Sequence, residues 1–174
     1  MYAGQYAQQH ADRPAFIMAN TGEAVTYAQL EARSNQLAHL LRGRGLKRLD
    51  HYAIFMENNS RFVEACMAGE RTGLYYTCVN AYLTAEELAY ILNNSESQLL
   101  ITSAEKLAVA RQALLACPQV TLCLVVGGGA AAEGQAGTAR IQDFEAALAG
   151  LPATPVPETV TVCGLREAFE LTVR

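Results

Sequence analysis

The chain has 174 residues, of which 51% are hydrophobic and 17% charged, so it can bury one core and is too short for two domains of ordinary size. A net charge of −4 without a basic stripe excludes nucleic acid as an expected partner. No apolar run approaches the roughly 20 residues of a transmembrane segment, and the N-terminus lacks the pattern of a secretory signal. The five cysteines form no CxxC pair and lie apart from the three histidines, so we expect reduced thiols, no metal site and a cytoplasmic protein.

The first part of the chain predicts a strand, a turn and a long helix. Residues 15–19 form an apolar run typical of a strand, and residues 20–23 have turn chemistry. Thr26 and Gln29 have the spacing of a capping box, which marks the start of a helix that Gly43 and Gly45 end. One face of that helix is predicted to point inward, with Leu30, Ser34, Leu37, Ala38 and Leu41.

The next segment repeats the alternation. Residues 51–56 predict a strand, and Ser60 is the expected N-cap of the helix that follows. The predicted inner face of this helix carries Phe62, Val63, Cys66 and Met67. Gly73 is expected to stop the helix before a strand at residues 75–79.

The second half predicts two more helices and two more strands. Thr84 and Glu87 form a second capping box, and Leu88, Ile91 and Leu92 are predicted to face inward. Strands are predicted at residues 99–102 and 121–126. The helix between them is indicated by Leu107, Ala110, Arg111 and Leu114 and is broken at Pro118. Residues 127–140 predict a mobile loop and residues 152–157 an extended connector.

Strand and helix alternate at least four times, which is the pattern of parallel strands joined by crossover helices. The apolar runs are continuous, as expected of strands covered on both faces. The sequence therefore predicts an α/β fold, with a doubly wound, mostly parallel sheet and flanking helices. We assign it to residues 1–157 and treat residues 158–174 as an atypical tail.

Two groups of residues invite a functional interpretation that a structural one outweighs. The glycines at 127–129 resemble a phosphate cradle, but no helix follows them directly and no basic residue precedes Arg140, so we predict a surface loop. Asp50, Glu57 and Glu64 fall on different elements, so we predict solvated surface charges and no acid–base set.

Aromatic and thiol side chains are treated in the same way. Tyr75, Tyr76 and Tyr82 are predicted to be core residues, with the edge of a substrate channel as the alternative. Cys66 and Cys78 have no neighbouring cation in the sequence that would lower a thiol pKa, so neither is predicted to be a nucleophile. The sequence nominates no catalytic residue.

Several phrases, in a fixed order, resemble the opening of acyl-CoA synthetases of the adenylate-forming (AMP-binding) family. Residues 26–38 contain TYAQL and RSNQLA, residues 56–59 read MENN, and residues 73–91 read GLYYTCVNAYLTAEELAYI. The similarity extends from about residue 10 to about residue 157. The sequence of residues 73–80 is most similar to that of fatty-acyl ligases. The resemblance implies the fold of the first part of the family's large N-terminal domain.

The resemblance implies a two-step reaction. A fatty or other carboxylic acid attacks the α-phosphate of Mg²⁺-bound ATP to form an acyl-adenylate, and coenzyme A then displaces AMP. The implied cofactors are ATP, Mg²⁺ and coenzyme A. Tyr82 stands where some ligases place a basic residue against the coenzyme A nucleotide, so it is our one cofactor-binding candidate, although tyrosine lacks that charge.

The chain also departs from the family pattern. Leu49-Asp50 replaces the usual Gly-Asp, and Cys78 stands where many relatives have proline. Residues 158–166 lack the family's Ser/Thr/Gly-rich phosphate loop and its lysine. We therefore expect a truncated acyl-CoA synthetase that binds no cofactor by itself and does not perform the family reaction alone, and a frameshifted or truncated reading frame is favoured over deliberate shortening.

Two alternatives stay open. One is a non-catalytic interaction module that self-associates or complements a separately encoded remainder. The other is an independent small nucleotide-binding α/β protein, against which the missing phosphate loop counts. Self-association is also expected of the truncated synthetase, because apolar surface that packs against the rest of the domain would be uncovered.

Overall fold

The computed structural model describes residues 3–157 of the chain. The predicted tail at 158–174 lies outside the described residues. The elements in chain order are α1 (Ala3–Gln9), β1 (Pro14–Ile17), β2 (Ala24–Thr26), α2 (Tyr27–Gly43), β3 (His51–Phe55), α3 (Ser60–Thr72), β4 (Tyr75–Cys78), α4 (Ala85–Asn94), β5 (Ser97–Ser103), α5 (Leu107–Leu114), β6 (Leu122–Val126), a 3₁₀ helix (Gly129–Ala132), β7 (Gly134–Ala136), β8 (Ala139–Asp143) and α6 (Phe144–Leu148).

The main sheet has six strands in the order β4-β3-β5-β6-β8-β7. All neighbours are parallel except β7, which runs antiparallel to β8. From β3 the chain moves outward to β4 and then returns to the other side through β5, β6 and β8. This reversal confirms the doubly wound, mostly parallel α/β fold. Strands β1 and β2 form a separate antiparallel pair.

The core has two layers, one on each face of the sheet. Ala53 and Phe55 of β3 point into the layer covered by α4 and α5, whereas Tyr52 and Ile54 point into the layer that includes α2, α3 and α6. All four side chains are completely buried. Burial on both faces is the reason why the strands are continuously apolar in sequence.

Both predicted capping boxes are confirmed. The backbone N–H of Gln29 donates to Thr26 Oγ1 at 3.2 Å, and the backbone N–H of Thr26 donates to Gln29 Oε1 at 2.9 Å. Thr84 and Glu87 make the same reciprocal pair at α4. All five residues predicted to face inward from α2 are buried. Hydrophobic periodicity and the capping box therefore predicted α2 correctly.

The prediction for α3 was wrong in two respects. Its N-cap is Asn59, whose Oδ1 accepts the backbone N–H of Arg61 at 2.9 Å, and not Ser60. The fully buried face carries small and charged side chains, while the residues predicted to form it are half-buried and pack against the margin of the core: Phe62, Val63, Cys66 and Met67. The reason is close packing. A Cβ on Gly69 would lie 2.6 Å from Tyr76 Cδ1, so the helix approaches its neighbours through its smallest residues.

Two turns show how the chain uses positive φ. Gly73 ends α3 in the left-handed conformation with φ +66°, as predicted. Leu49 has φ +75°, and it is the residue for which the resemblance implies a glycine. A non-glycine residue adopts this conformation at a cost of about 1 kcal/mol or more.

The predicted mobile loop at residues 127–140 was wrong. Strand β8 joins the main sheet parallel to β6, with Cys123 opposite Ile141, and β7 folds back on it. Ala139 and Ile141 are buried, so the segment is a packed part of the core. Its Gly- and Ala-rich composition concealed a strand, because small residues have weak β-propensity but fit a crowded layer.

The predicted connector at residues 152–157 contains neither helix nor strand. It lies along α2, where Asn35 Nδ2 donates to the carbonyl of Ala153 at 2.8 Å and His39 Nε2 lies 2.9 Å from the carbonyl oxygen of Thr154. Val156 is buried at its end. Among the described helices, none has the length and apolar character needed to cross a bilayer.

Candidate functional site

The candidate site lies at the carboxyl edge of the main sheet. In open α/β sheets, ligands bind outside the carboxyl ends of the strands where the strand order reverses. Here the reversal lies between β3 and β5. Four side chains meet beside it and form what we call the edge cluster: Glu57 after β3, Tyr82 after β4, Ser103 at the end of β5, and Lys106 before α5.

Glu57 is the hydrogen-bonded centre of the edge cluster. Its Oε2 accepts a hydrogen bond from Ser103 Oγ at 2.5 Å, and its Oε1 accepts one from Asn59 Nδ2 at 3.2 Å. Partial burial acts to raise the pKa of Glu57, but these hydrogen bonds, together with one from its own backbone N–H and the charge of Lys106, outweigh it and lower the pKa. Glu57 is therefore an ionised, positioned carboxylate.

Lys106 supplies the positive charge of the edge cluster. Its Nζ lies 2.8 Å from Glu105 Oε1 and 5.3 Å from the centre of the Tyr82 ring, within the range of a cation–π contact. The hydrogen bond to Glu105 is the main cause that raises the pKa of Lys106. The ammonium group therefore stays charged at neutral pH.

Tyr82 is 90% exposed, and its backbone N–H donates to Asn80 Oδ1 at 3.0 Å. The prediction that the three tyrosines are core residues was wrong for Tyr82 and for Tyr75, which is 57% exposed; Tyr76 is half-buried. The physical reason is that β4 lies at the edge of the sheet within residues 3–157, so its side chains are covered less than those of β3. A role for Tyr82 at a coenzyme A edge stays a prediction.

Sequence reasoning missed Lys106 and its contact with Tyr82. The two residues belong to different β–α connections, and nothing in the local sequence links them. A usable signal was present, since both follow parallel strands and the carboxyl ends of such strands meet at one edge. Glu57, predicted to be a solvated surface charge, is half-buried in the same cluster.

The glycine run at 127–129 does not form an open cradle. The backbone N–H of Gly129 donates to Asp143 Oδ2 at 2.8 Å, so a carboxylate of the protein occupies the place of an anion. Asp143 Oδ1 accepts the backbone N–H of Ala146 at 2.8 Å and thereby caps α6. The phosphate-cradle interpretation therefore fails at this position, and the segment is not a plain surface loop either.

Replacing Asp143 by alanine is expected to lower the free energy of unfolding by about 1–2 kcal/mol, because it removes a helix cap and the partner of Gly129. Asp143→Asn keeps one carbonyl oxygen and is expected to lose about half as much. Urea denaturation of both variants measures the difference. Equal stability of the Asp143→Ala variant and the wild type would contradict the bridging role.

A second charged group, the four-charge cluster, joins α2, α3 and α6. Arg33 Nε and Arg61 Nη1 each lie 2.8 Å from one carboxylate oxygen of Glu64, and both arginines also contact Glu145. The Glu64 side chain has no exposed surface, so the prediction of a solvated charge was wrong. Burial raises the pKa of Glu64, and the two arginines oppose that rise without cancelling it. The cluster is closed among its own members and acts as an interhelical clamp.

Two of the described thiols lie close together. Cys66 Sγ and Cys78 Sγ lie 4.0 Å apart, which their separation in sequence did not suggest. Within residues 3–157, no group of three or more His, Cys, Asp or Glu side chains is arranged to hold a metal ion. Residues 158–166, where the resemblance leads one to expect a phosphate loop that the sequence lacks, lie outside the described part of the chain.

Comparisons with solved structures define the fold class. An anthranilate CoA ligase in complex with anthranoyl-AMP matches 91% of this chain and 29% of its own, with a TM-score of 0.78 and 19% identity. A benzoate CoA ligase from Burkholderia xenovorans LB400 matches 91% of this chain and 29% of its own, with a TM-score of 0.71 and 21% identity. The sheet and its helices therefore have the N-terminal domain fold of adenylate-forming enzymes.

Sequence comparisons identify the family. The family model described as AMP-binding enzyme matches residues 4–162. The long-chain-fatty-acid–CoA ligase of Salmonella typhimurium is 38% identical over 96 residues, which cover 55% of this chain and 17% of that protein. The 3-oxocholest-4-en-26-oate–CoA ligase of Rhodococcus rhodochrous is 36% identical over 112 residues, covering 64% and 20%. The chain belongs to the AMP-binding enzyme family, and it spans a fifth or less of the length of these two relatives.

Proposed function

We propose that this chain forms the N-terminal part of an acyl-CoA ligase that activates a fatty acid with ATP and transfers it to coenzyme A. Family membership and the names of the ligase relatives support the reaction class. The sequence of residues 73–80 and the similarity to the Salmonella ligase favour a fatty acid as the substrate. The reaction needs residues that this chain does not supply, because residues 158–166 lack a phosphate loop. We propose that the 174 residues alone do not catalyse the ligase reaction.

The observation that supports a role for this chain in binding a substrate of the ligase reaction is the edge cluster. Lys106 is a point charge suited to a phosphate group, and the exposed ring of Tyr82 offers a face for a purine. Coenzyme A carries both groups in its nucleotide. We propose that Lys106 provides the charge that Tyr82 lacks, and that the two residues contact the nucleotide part of coenzyme A.

The test is an NMR titration of the 174-residue chain with coenzyme A. We expect weak binding, with Kd near 1 mM, or about −4 kcal/mol, and chemical-shift changes centred on residues 80–84 and 103–106. Lys106→Gln should remove most of these changes. The matched control is Lys47→Gln, because Lys47 is exposed and precedes β3, at the opposite edge of the sheet.

Dephospho-coenzyme A, which lacks the ribose 3′-phosphate, separates the two contacts. Smaller shifts at Lys106 with unchanged shifts at Tyr82 would assign the phosphate to lysine and the purine to tyrosine. Shifts that are the same in the Lys106→Gln variant, or that centre on Lys47, would contradict the proposal. Pyrophosphate release by the chain alone with ATP, Mg²⁺ and palmitate would contradict the need for further residues.

The alternative of an interaction module has one observation in its favour. Strand β4 pairs on one side only among the described residues, and Tyr75 is exposed on it. Self-association through this edge stays a prediction, and sedimentation velocity would test it. The cytoplasmic location is likewise a proposal, supported by the free state of the four described cysteines.

A further inference from the structure

Two cysteines from different elements meet beside the edge of the sheet. Cys66 lies in the middle of α3 and is half-buried, whereas Cys78 ends β4 and is exposed. Their sulfur atoms are 4.0 Å apart. The other two described cysteines, Cys117 and Cys123, are buried in the opposite layer of the core. Among the four described cysteines, only Cys66 and Cys78 are both close together and open to a reagent in solution.

The pair is near enough to bond after a small movement. A disulfide has an S–S length of about 2.05 Å, so the two sulfur atoms must approach by roughly 2 Å. Rotation about the two Cα–Cβ bonds moves each sulfur, and β4 has one ladder neighbour, β3, within residues 3–157. The chain between the cysteines reverses direction at Gly73, which already holds α3 and β4 side by side.

The surroundings give the two thiols different reactivity. Burial raises the pKa of Cys66 to about 12, and the neighbouring Cys78 and Glu70 add to the rise. Cys78 is the exposed member of the pair and meets a reagent first. Once Cys78 is bonded to another sulfur it can no longer carry a negative charge, so its contribution to the raised pKa of Cys66 disappears. The buried thiol is therefore easier to ionise after the exposed one has reacted.

We propose that Cys66 and Cys78 form a redox-active dithiol that closes to an intramolecular disulfide in the presence of a small disulfide such as oxidised glutathione. The Cys78 thiolate attacks one glutathione sulfur, the glutathione S–S bond breaks, and one glutathione thiolate leaves. Cys66 then loses its proton and attacks Cys78 Sγ, and the second glutathione leaves as the mixed disulfide breaks. The two cysteines lose two protons and two electrons, and oxidised glutathione becomes two reduced molecules.

The disulfide would join α3 to β4 covalently. Strand β4 leads directly to the segment that carries Tyr82, so the modification would restrict the edge of the sheet where the chain leaves β4. This inference stands on the two sulfur positions and does not depend on the proposed coenzyme A contact.

The experiment treats the native 174-residue chain with oxidised glutathione and maps its disulfides by mass spectrometry. Trypsin cuts after Arg61, Arg71 and Lys106, which places the two cysteines in separate peptides, residues 62–71 and 72–106. We expect these two peptides to be linked, and the number of free thiols to fall from five to three. Dithiothreitol should restore all five.

Three variants make the test specific. Cys66→Ser should stop the reaction at a stable Cys78–glutathione adduct, and Cys78→Ser should leave Cys66 unmodified. Cys163→Ser should form the same linked peptides as the wild type. A wild-type chain in which the Cys78–glutathione adduct persists, or in which Cys78 links two chains, would overturn the proposal. So would a linkage that disappears in the Cys163→Ser variant.

Discussion

Replacing Arg71 by methionine is expected to lower the free energy of unfolding by about 3–5 kcal/mol. Arg71 is 1% exposed, and its guanidinium group pairs with Glu31 and donates to Ser34 Oγ at 2.9 Å and to Asn35 Oδ1 at 3.0 Å. The variant would leave a carboxylate and buried polar groups of α2 without this partner. At roughly 2–4 °C per kcal/mol for a chain of this size, the melting temperature should fall by about 6–20 °C.

The matched control is Arg44→Met, which removes the same atoms from an exposed position. Arg44 Nη2 donates to Gln142 Oε1 at 2.8 Å at the surface, so its loss should change stability by about 0.5 kcal/mol or less. Thermal unfolding of the two variants measures both effects. Similar melting temperatures for Arg71→Met and Arg44→Met would show that the α2–α3 contact does not depend on the buried guanidinium.

Replacing Arg33 by methionine is expected to cost about 2–3 kcal/mol at neutral pH. It leaves Glu64, whose side chain has no exposed surface, with one arginine instead of two. This cost is smaller than for a fully buried pair because Arg33 is 22% exposed and Arg61 remains. The exposed Arg48→Met is the control for the loss of one positive charge.

The effect of Arg33→Met should depend on pH with a definite sign. The pKa of Glu64 is already raised in the folded state, chiefly by burial, and removal of Arg33 should raise it further. A carboxyl group with a raised folded pKa destabilises the protein as pH rises through that pKa, and the cost vanishes below the unfolded value of about 4.5. The stability gap between variant and wild type should therefore narrow as pH falls towards about 4. A constant gap would contradict an ionised, buried Glu64.

The sequence predicted the parts of the fold that depend on local rules. The capping boxes at Thr26 and Thr84, the glycine stop at Gly73 and the continuous apolar strands are all properties of neighbouring residues. They correctly specified a doubly wound sheet, because hydrophobic periodicity and helix ends are encoded within a few positions. Strand β8 escaped this reasoning because its stability comes from β6 and the core layers and not from its own composition.

The charged residues show the same limit. The sequence predicts a surface charge at Glu64 because its two arginine partners cannot be recognised from spacing alone: Arg61 is on its own helix, but Arg33 lies 31 positions away on α2. Lys106 was missed because Tyr82 belongs to a different β–α connection. In each case the function of a side chain is set by what the fold brings next to it.

The connector along α2 has a consequence for which substitutions the protein can accept. Asn35, Gln36 and His39 bind the backbone carbonyl groups of residues 153, 151 and 154, respectively, so these contacts do not depend on the side chains of the connector. Natural variation should therefore be tolerated at Ala153 and Thr154, whose side chains are exposed. Variation at the three positions on α2 should be restricted, although they carry polar residues that a sequence comparison would ordinarily rank as replaceable. The side chains of α2 determine where the connector binds, and the side chains of the connector can vary without loss of these hydrogen bonds.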